Sequence, residues 1–105
     1  MFKIKELSLK HPDKVPLCMI VENKAISIPK NKFLAPKDYS FSEFVIKFRT
    51  FIKLEKDQGL FYLIKQGDKY TAPRMSDTLS TIYNTYVSED GMLYVAVTVE
   101  SMFGN

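Results

Sequence analysis

Apolar residues recur at helical spacing in one stretch of the chain: Phe41, Phe44, Val45, Phe48 and Ile52. Ser42, Glu43, Lys47, Arg49 and Thr50 fall mainly on the other side, the division expected of an amphipathic helix. Ser40 stands three residues before Glu43, a capping-box spacing. The pattern therefore predicts the principal helix over residues 40–53, closed by the breaker segment Glu55-Lys56-Asp57-Gln58-Gly59. Elsewhere the period shortens. Val15–Val21 is apolar and rich in β-branched residues, Ala25–Leu34 alternates, Leu60–Ile64 is a short apolar run, and Met92–Val99 repeats the strand character. Glu22-Asn23-Lys24 reads as the turn between the first two strands, and Pro29 suits an edge or a bulge better than a central ladder. Ser76 or Thr78 can cap a second, shorter helix through Tyr86, with Leu79, Ile82, Tyr83 and Tyr86 on one face. Residues 65–75 read as a polar loop, and Ser88-Glu89-Asp90-Gly91 as a turn. A small helix, Ile4–Lys10, precedes all of this and stops at His11-Pro12-Asp13.

The order is strand, strand, long helix, strand, short helix, strand. It predicts an α+β fold, with a four-stranded mixed sheet and the long helix across one face: the β-grasp, or ubiquitin-like, arrangement. The last strand is expected at the centre, between strands one and three, and strand two at an edge. An exposed edge can accept a peptide as an additional strand. Residues 1–99 form the domain in this reading, and residues 100–105 a tail.

Composition narrows the function. The 105 residues suit a single domain, and 46% are hydrophobic, with eight Phe and six Tyr to fill a core. A single cysteine rules out an internal disulfide and points to a reducing compartment. No apolar stretch approaches the roughly 20 residues of a membrane span, and the first residues lack the apolar core of a signal peptide. The net charge of +3 is uneven. Residues 1–56 carry twelve Lys/Arg against six Asp/Glu, while residues 57–105 carry three against six. The front half should attract acidic partners. Nucleic acid is not among them, because the aromatic residues follow core periodicity rather than interleaving with the basic ones. Cys18 and His11 are the only Cys–His pair, and Cys18 lies in an apolar run where a small buried thiol is the default. One His and one Cys fall short of a zinc ligand set. No metal, cofactor or catalytic residue is expected, and the chain is not read as an enzyme.

Four segments, in order, resemble the autophagy ubiquitin-like modifiers of the light-chain-3 and GABARAP group. His11-Pro12-Asp13-Lys14-Val15-Pro16 is similar to that family's Tyr-Pro-Asp-Arg-Val-Pro. Lys30-Asn31-Lys32-Phe33-Leu34-Ala35-Pro36 is similar to its Lys-Lys-Lys-Tyr-Leu-Val-Pro. Glu89-Asp90-Gly91-Met92-Leu93-Tyr94-Val95 matches Glu-Asp-Gly-Phe-Leu-Tyr-Ile, and Glu100-Ser101-Met102-Phe103-Gly104 matches the family's tail ahead of its terminal glycine. The resemblance runs from about Leu7 to the end. It implies that a cysteine protease trims the chain before Asn105. Activating and conjugating enzymes then pass the Gly104 carboxyl to phosphatidylethanolamine. The protein would be cytoplasmic and monomeric, and would sit on autophagosome membrane once lipidated. There it would recruit cargo receptors through short aromatic-x-x-aliphatic motifs.

The resemblance also implies the binding residues. Leu7, Pro16, Cys18, Lys32, Leu34 and Met92 would build the aromatic pocket. Phe33, Ala35, Pro36, Tyr39, Phe44 and Phe48 would build the aliphatic one. Lys14 and Lys32 would meet acidic residues of the motif, with Arg49 at the far side. The chain departs from the pattern in several places. The family's first N-terminal helix has no counterpart, and residues 66–77 form a longer segment without the usual Pro-Pro. Lys47 replaces an aliphatic pocket residue, Phe51 a basic one, and Met92 a Phe. An alternative reading with the same pockets is a β-grasp peptide-binding module that is never lipidated.

Overall fold

The structure is a computed structural model, and it describes residues 12–21, 28, 30–52 and 58–101. Within these, the elements follow as β1 (Lys14–Val21), β2 (Lys32–Pro36), α1 (Phe41–Arg49), β3 (Gln58–Gln66), β4 (Lys69–Thr71), α2 (Leu79–Tyr86) and β5 (Leu93–Ser101). They form one mixed sheet in the order β2-β1-β5-β3-β4. β5 lies at the centre as expected, parallel to β1 and antiparallel to β3. β2 pairs with β1 alone and forms one edge. The predicted helix Ile4–Lys10, the residues Ala25–Ser27 and Pro29, and the end of the chain from Met102 lie outside the described residues.

Alternation along the strands gives the sheet two faces. Val15, Leu17 and Met19 of β1, Ile64 of β3, and Leu93, Val95 and Val97 of β5 form one buried cluster with Phe41, Phe44, Val45 and Phe48 of α1 and Leu79 and Ile82 of α2. The helical stripe read from the sequence is thus the one that packs. Its rings interlock: Phe44 stacks on Phe48 at 6.2 Å, and Tyr62 meets Phe41 and Phe48 edge-on at 5.9 and 6.2 Å. The capping box is present. The Glu43 N–H donates to Ser40 Oγ at 3.1 Å, and the Ser40 N–H donates to Glu43 Oε1 at 3.0 Å. The other first-turn amides are also satisfied, Phe41 N–H by the Asp77 carbonyl at 2.8 Å and Ser42 N–H by that of Met75 at 3.0 Å. The long segment after β4 therefore caps the principal helix.

Four expectations need correction. The second strand, expected over Ala25–Leu34, is Lys32–Pro36; Ile28, Lys30 and Asn31 lie outside it. Among the described residues the sheet has five strands, because residues 65–75 are not all loop. β3 runs on to Gln66, turns at Gly67-Asp68 and returns as β4, with Gln66 opposite Lys69. Gly67 has φ +58°, which a two-residue hairpin with glycine first requires. α1 ends at Arg49 rather than 53. The amides of Thr50, Phe51 and Ile52 donate three residues back, to Lys47, Phe48 and Arg49, which tightens the last turn out of α-helical geometry. Finally, β5 reaches Ser101, which pairs with Gln58, so Glu100 and Ser101 belong to the sheet rather than to a tail beginning at residue 100.

Candidate functional site

β2 is five residues long, and among the described residues no strand lies on its outer side. Its backbone groups on that side can pair with a peptide. Its side chains alternate, so a strand laid along it meets two different surfaces.

The outer face of the sheet supplies the first. Leu34 lies opposite Pro16, and Lys32 opposite Cys18. Pro16, Cys18 and Met92 are buried, Leu34 is half-buried, and Lys32 is exposed at the rim. Met92 precedes the Leu93–Leu17 pair by one residue, which puts it level with Pro16. The turn that sets it there is well tied. The Met92 N–H donates to Asp90 Oδ1 at 3.0 Å, the Tyr94 hydroxyl to Asp90 Oδ2, and the Tyr83 hydroxyl to the Gly91 carbonyl at 2.7 Å. The Tyr94 hydroxyl and, after it, the Met92 N–H hold the Asp90 carboxyl below its ordinary pKa. Burial pushes the Cys18 thiol up, outweighing the pull of Lys32, and Asp90 raises it further. A protonated, buried thiol is a wall of the site and not a nucleophile. His11 lies outside the described residues, as do Leu7 and Gly104.

The second surface lies between β2 and α1. The Phe33 ring meets Phe44 at 6.0 Å and Phe48 at 5.6 Å, both nearly perpendicular. Ala35 is buried beside them, and Tyr39 packs against the same cluster. Pro36 ends the strand opposite Lys14, and its carbonyl accepts the Tyr39 N–H at 3.1 Å. Phe44 and Phe48 are buried to within a few per cent, so they form the floor, and Phe33 is the accessible wall.

Arg49 is exposed on α1, and its charge acts on the Tyr62 hydroxyl of β3. Lys14 shares a cleft of about 320 Å³ with Pro16, Lys37, Tyr83 and Asn84, adjoining the outer surface through Pro16. In the sequence Phe51 stands out only as a departure from a family pattern. It stands 5.7 Å from Phe33 and extends the wall of the inner surface. The signal was present, since Phe51 continues the Phe44–Phe48 row at helical spacing.

A family model described as autophagy protein Atg8, ubiquitin-like, matches residues 2–104. Autophagy-related protein 8 of Schizosaccharomyces pombe is 36% identical over 97 residues, which cover 90% of this chain and 77% of the relative. Autophagy-related protein 8a of Arabidopsis thaliana is 35% identical over 100 residues, covering 91% and 77%. The crystal structure of Trypanosoma brucei ATG8 shares the fold with a TM-score of 0.75 and 30% identity, covering 96% of this chain and 85% of that one. Plasmodium falciparum Atg8, solved in complex with a P. falciparum Atg3 peptide, has a TM-score of 0.76 at 21% identity, covering 90% and 82%.

Proposed function

The chain belongs to the Atg8 family of ubiquitin-like autophagy proteins, and we propose that it is a lipidated adaptor that reads short peptide motifs at β2. One observation carries the reading. The open edge of β2 has an apolar site on each face, Pro16-Cys18-Leu34-Met92 outside and Phe33-Ala35-Phe44-Phe48 inside. An aromatic-x-x-aliphatic peptide places its two anchors on opposite sides of an extended backbone, because their spacing is odd. Such a peptide can pair with the edge and fill both sites. Lys32 at the rim of the outer site, and Lys14 in the adjoining cleft, suit acidic residues around the motif. The Atg3 peptide bound by the Plasmodium relative supports including a conjugating enzyme among the partners. Cargo receptors with the same motif are the others.

Gly104 is the conjugation site in this proposal, freed by a cysteine protease that removes Asn105. Phosphatidylethanolamine then supplies the membrane affinity that the described helices do not, since none is long and apolar enough to cross a bilayer. Two acyl chains anchor stably where one does not. The protein acts as a cytoplasmic modifier that moves to the autophagosome membrane on lipidation, and no metal or cofactor enters its action.

The test has two arms. Burying a motif's aromatic side chain contributes about 1.5–3 kcal/mol, from which peptide ordering subtracts, so affinity is expected to be micromolar and to fall at least about tenfold in Leu34→Ala. Unchanged affinity in that variant removes the site. Gly104→Ala adds a Cβ in the narrow channels of the conjugating enzymes and should stop lipidation while leaving peptide binding intact. In a purified conjugation system followed by mass spectrometry, phospholipid on Gly104→Ala refutes the conjugation site. A wild-type chain that binds peptide but never gains lipid identifies an unlipidated binding module instead.

A further inference from the structure

The cleft of about 320 Å³ at the start of β1 is framed by three segments that backbone bonds hold together. Lys14 pairs with Pro36, so Lys37 is the first residue after β2. The Lys37 N–H donates to the Asp13 carbonyl at 2.9 Å, and the Ser80 N–H donates to the Lys37 carbonyl at 3.0 Å. Lys14 and Lys37 line the cleft together with Ser80 and Asn84, which stand one helical turn apart on α2. Among the described residues, no hydrogen bond or ion pair engages any of these four side chains. The neighbouring carboxylates, Asp13 and Asp38, do not line the cleft. Pro16 and Tyr83 add apolar wall, and the Tyr83 hydroxyl is already committed to the Gly91 carbonyl at 2.7 Å. The other first-turn amides of α2 are also taken, Leu79 N–H by the Tyr39 carbonyl at 2.8 Å and Thr81 N–H by Thr78 Oγ1 at 3.2 Å. Recognition in this cleft therefore falls to side chains.

Two ammonium groups, a hydroxyl and a carboxamide around one small cavity suit a tetrahedral dianion. The ammonium groups balance its charge, and all four side chains can donate to its oxygens. The volume is at the small end of ligand sites, and it leaves room beside a phosphate, against Tyr83 and Pro16, for a compact body. We propose that this cleft binds a small soluble phosphomonoester. A lipid headgroup carries the same chemistry, but the fold favours the soluble source. β1 and β5 run parallel, with Leu17 level with Leu93. Lys14 stands three residues before that level and Ser101 eight after it, so about 35 Å of strand separates the cleft from the end of β5. Gly104 follows Ser101 by three residues. The cleft thus lies at the end of the sheet far from the proposed lipid attachment. The inference does not need a peptide on β2; only the choice of a soluble source rests on Gly104 as the attachment residue.

Amide NMR titration of the full chain decides it, with glucose-6-phosphate as the probe and glucose as the uncharged control. The ester should bind with a dissociation constant below about 1 mM, shifting the amides of Lys14, Lys37, Ser80 and Asn84, while glucose shifts none of them. Lys37→Gln should weaken the ester about three- to fivefold, the range of an exposed ion pair, and Lys37→Arg should restore it. Lys14→Gln combined with Lys37→Gln should abolish the shifts. Lys37 is exposed, so its variants should melt as wild type does. Leu34→Ala should leave ester binding unchanged, which separates this cleft from the β2 edge. No shift with the ester, equal shifts with glucose, or binding that survives the double substitution overturns the inference and leaves the β2 edge standing. Lys37-dependent binding to phosphatidylcholine vesicles containing phosphatidylinositol phosphate, with none to the free ester, assigns the cleft to a headgroup and overturns the soluble source.

Discussion

Tyr62→Phe removes one oxygen and keeps the ring. The ring is what the core uses, through its edge-on contacts with Phe41 and Phe48 at 5.9 and 6.2 Å. The hydroxyl oxygen is buried and has no hydrogen-bond partner among the described residues. Leaving a buried polar group unpaired costs about 1–3 kcal/mol, and its removal recovers most of that, less the packing of a single atom. The variant should therefore be more stable by about 1 kcal/mol, or melt about 4 °C higher for a domain of this size. Urea titration at pH 7 measures the change, with an unaltered slope to show that only stability has moved. Alkaline pH gives a second readout. Burial pushes the Tyr62 pKa from 10.0 up to about 12, outweighing the opposing pull of Arg49. The folded chain holds this proton more tightly than the unfolded one. That contribution is whole below pH 10 and is lost as pH rises through 12. Tyr94, raised to about 12 chiefly by its hydrogen bond to Asp90, behaves alike in both proteins, so the difference between them isolates Tyr62. Wild type should lose more stability than the variant over this window. A variant less stable by 1 kcal/mol or more at pH 7 would mean that the hydroxyl has a partner, and the reasoning would fail.

Two further substitutions probe the frame of the site. Phe48 is 1% exposed and contacts Phe33, Phe44 and Tyr62, so Phe48→Ala should cost about 3–5 kcal/mol in a denaturant melt; a loss below about 1 kcal/mol would place the α1 stripe against solvent. Gly67→Ala introduces a Cβ that meets nothing within 4 Å but keeps φ at +58°, so it should cost about 1–2 kcal/mol by backbone strain alone, with Gly67→Asn milder; equal stability of wild type and both variants would mean that the hairpin has another turn.

The parts of this structure that sequence reveals are those where one residue's environment follows from its near neighbours. The capping box needs only Ser40 and Glu43, and the stripe from Phe41 to Phe48 needs only helical periodicity. The central place of β5 follows from element order and chain connectivity. The hairpin at Gly67-Asp68 was harder to see. Its flanks, Lys65, Gln66, Lys69 and Tyr70, are polar or exposed, so no apolar alternation marks β4. The last turn of α1 also misleads, since Ile52 keeps the helical period while its amide bonds three residues back. For the site, edge position and alternation identify Leu34, Lys32 and Phe33. The cleft of Lys14, Lys37, Ser80 and Asn84 is not visible there, because it depends on where the start of a helix meets the start of a strand.

The central position of β5 also governs when the domain can exist. It is the last of the described elements, yet β1 and β3 reach each other only through it. Without residues 93–101, the β2-β1 pair and the β3-β4 pair have no strand to join them. Neither is wide enough to be stable alone. Even α1 waits, since the carbonyls of Met75 and Asp77 that close its first turn arrive some thirty residues later. The native sheet therefore forms only after residues 93–101 have been made, and the earlier strands wait for it.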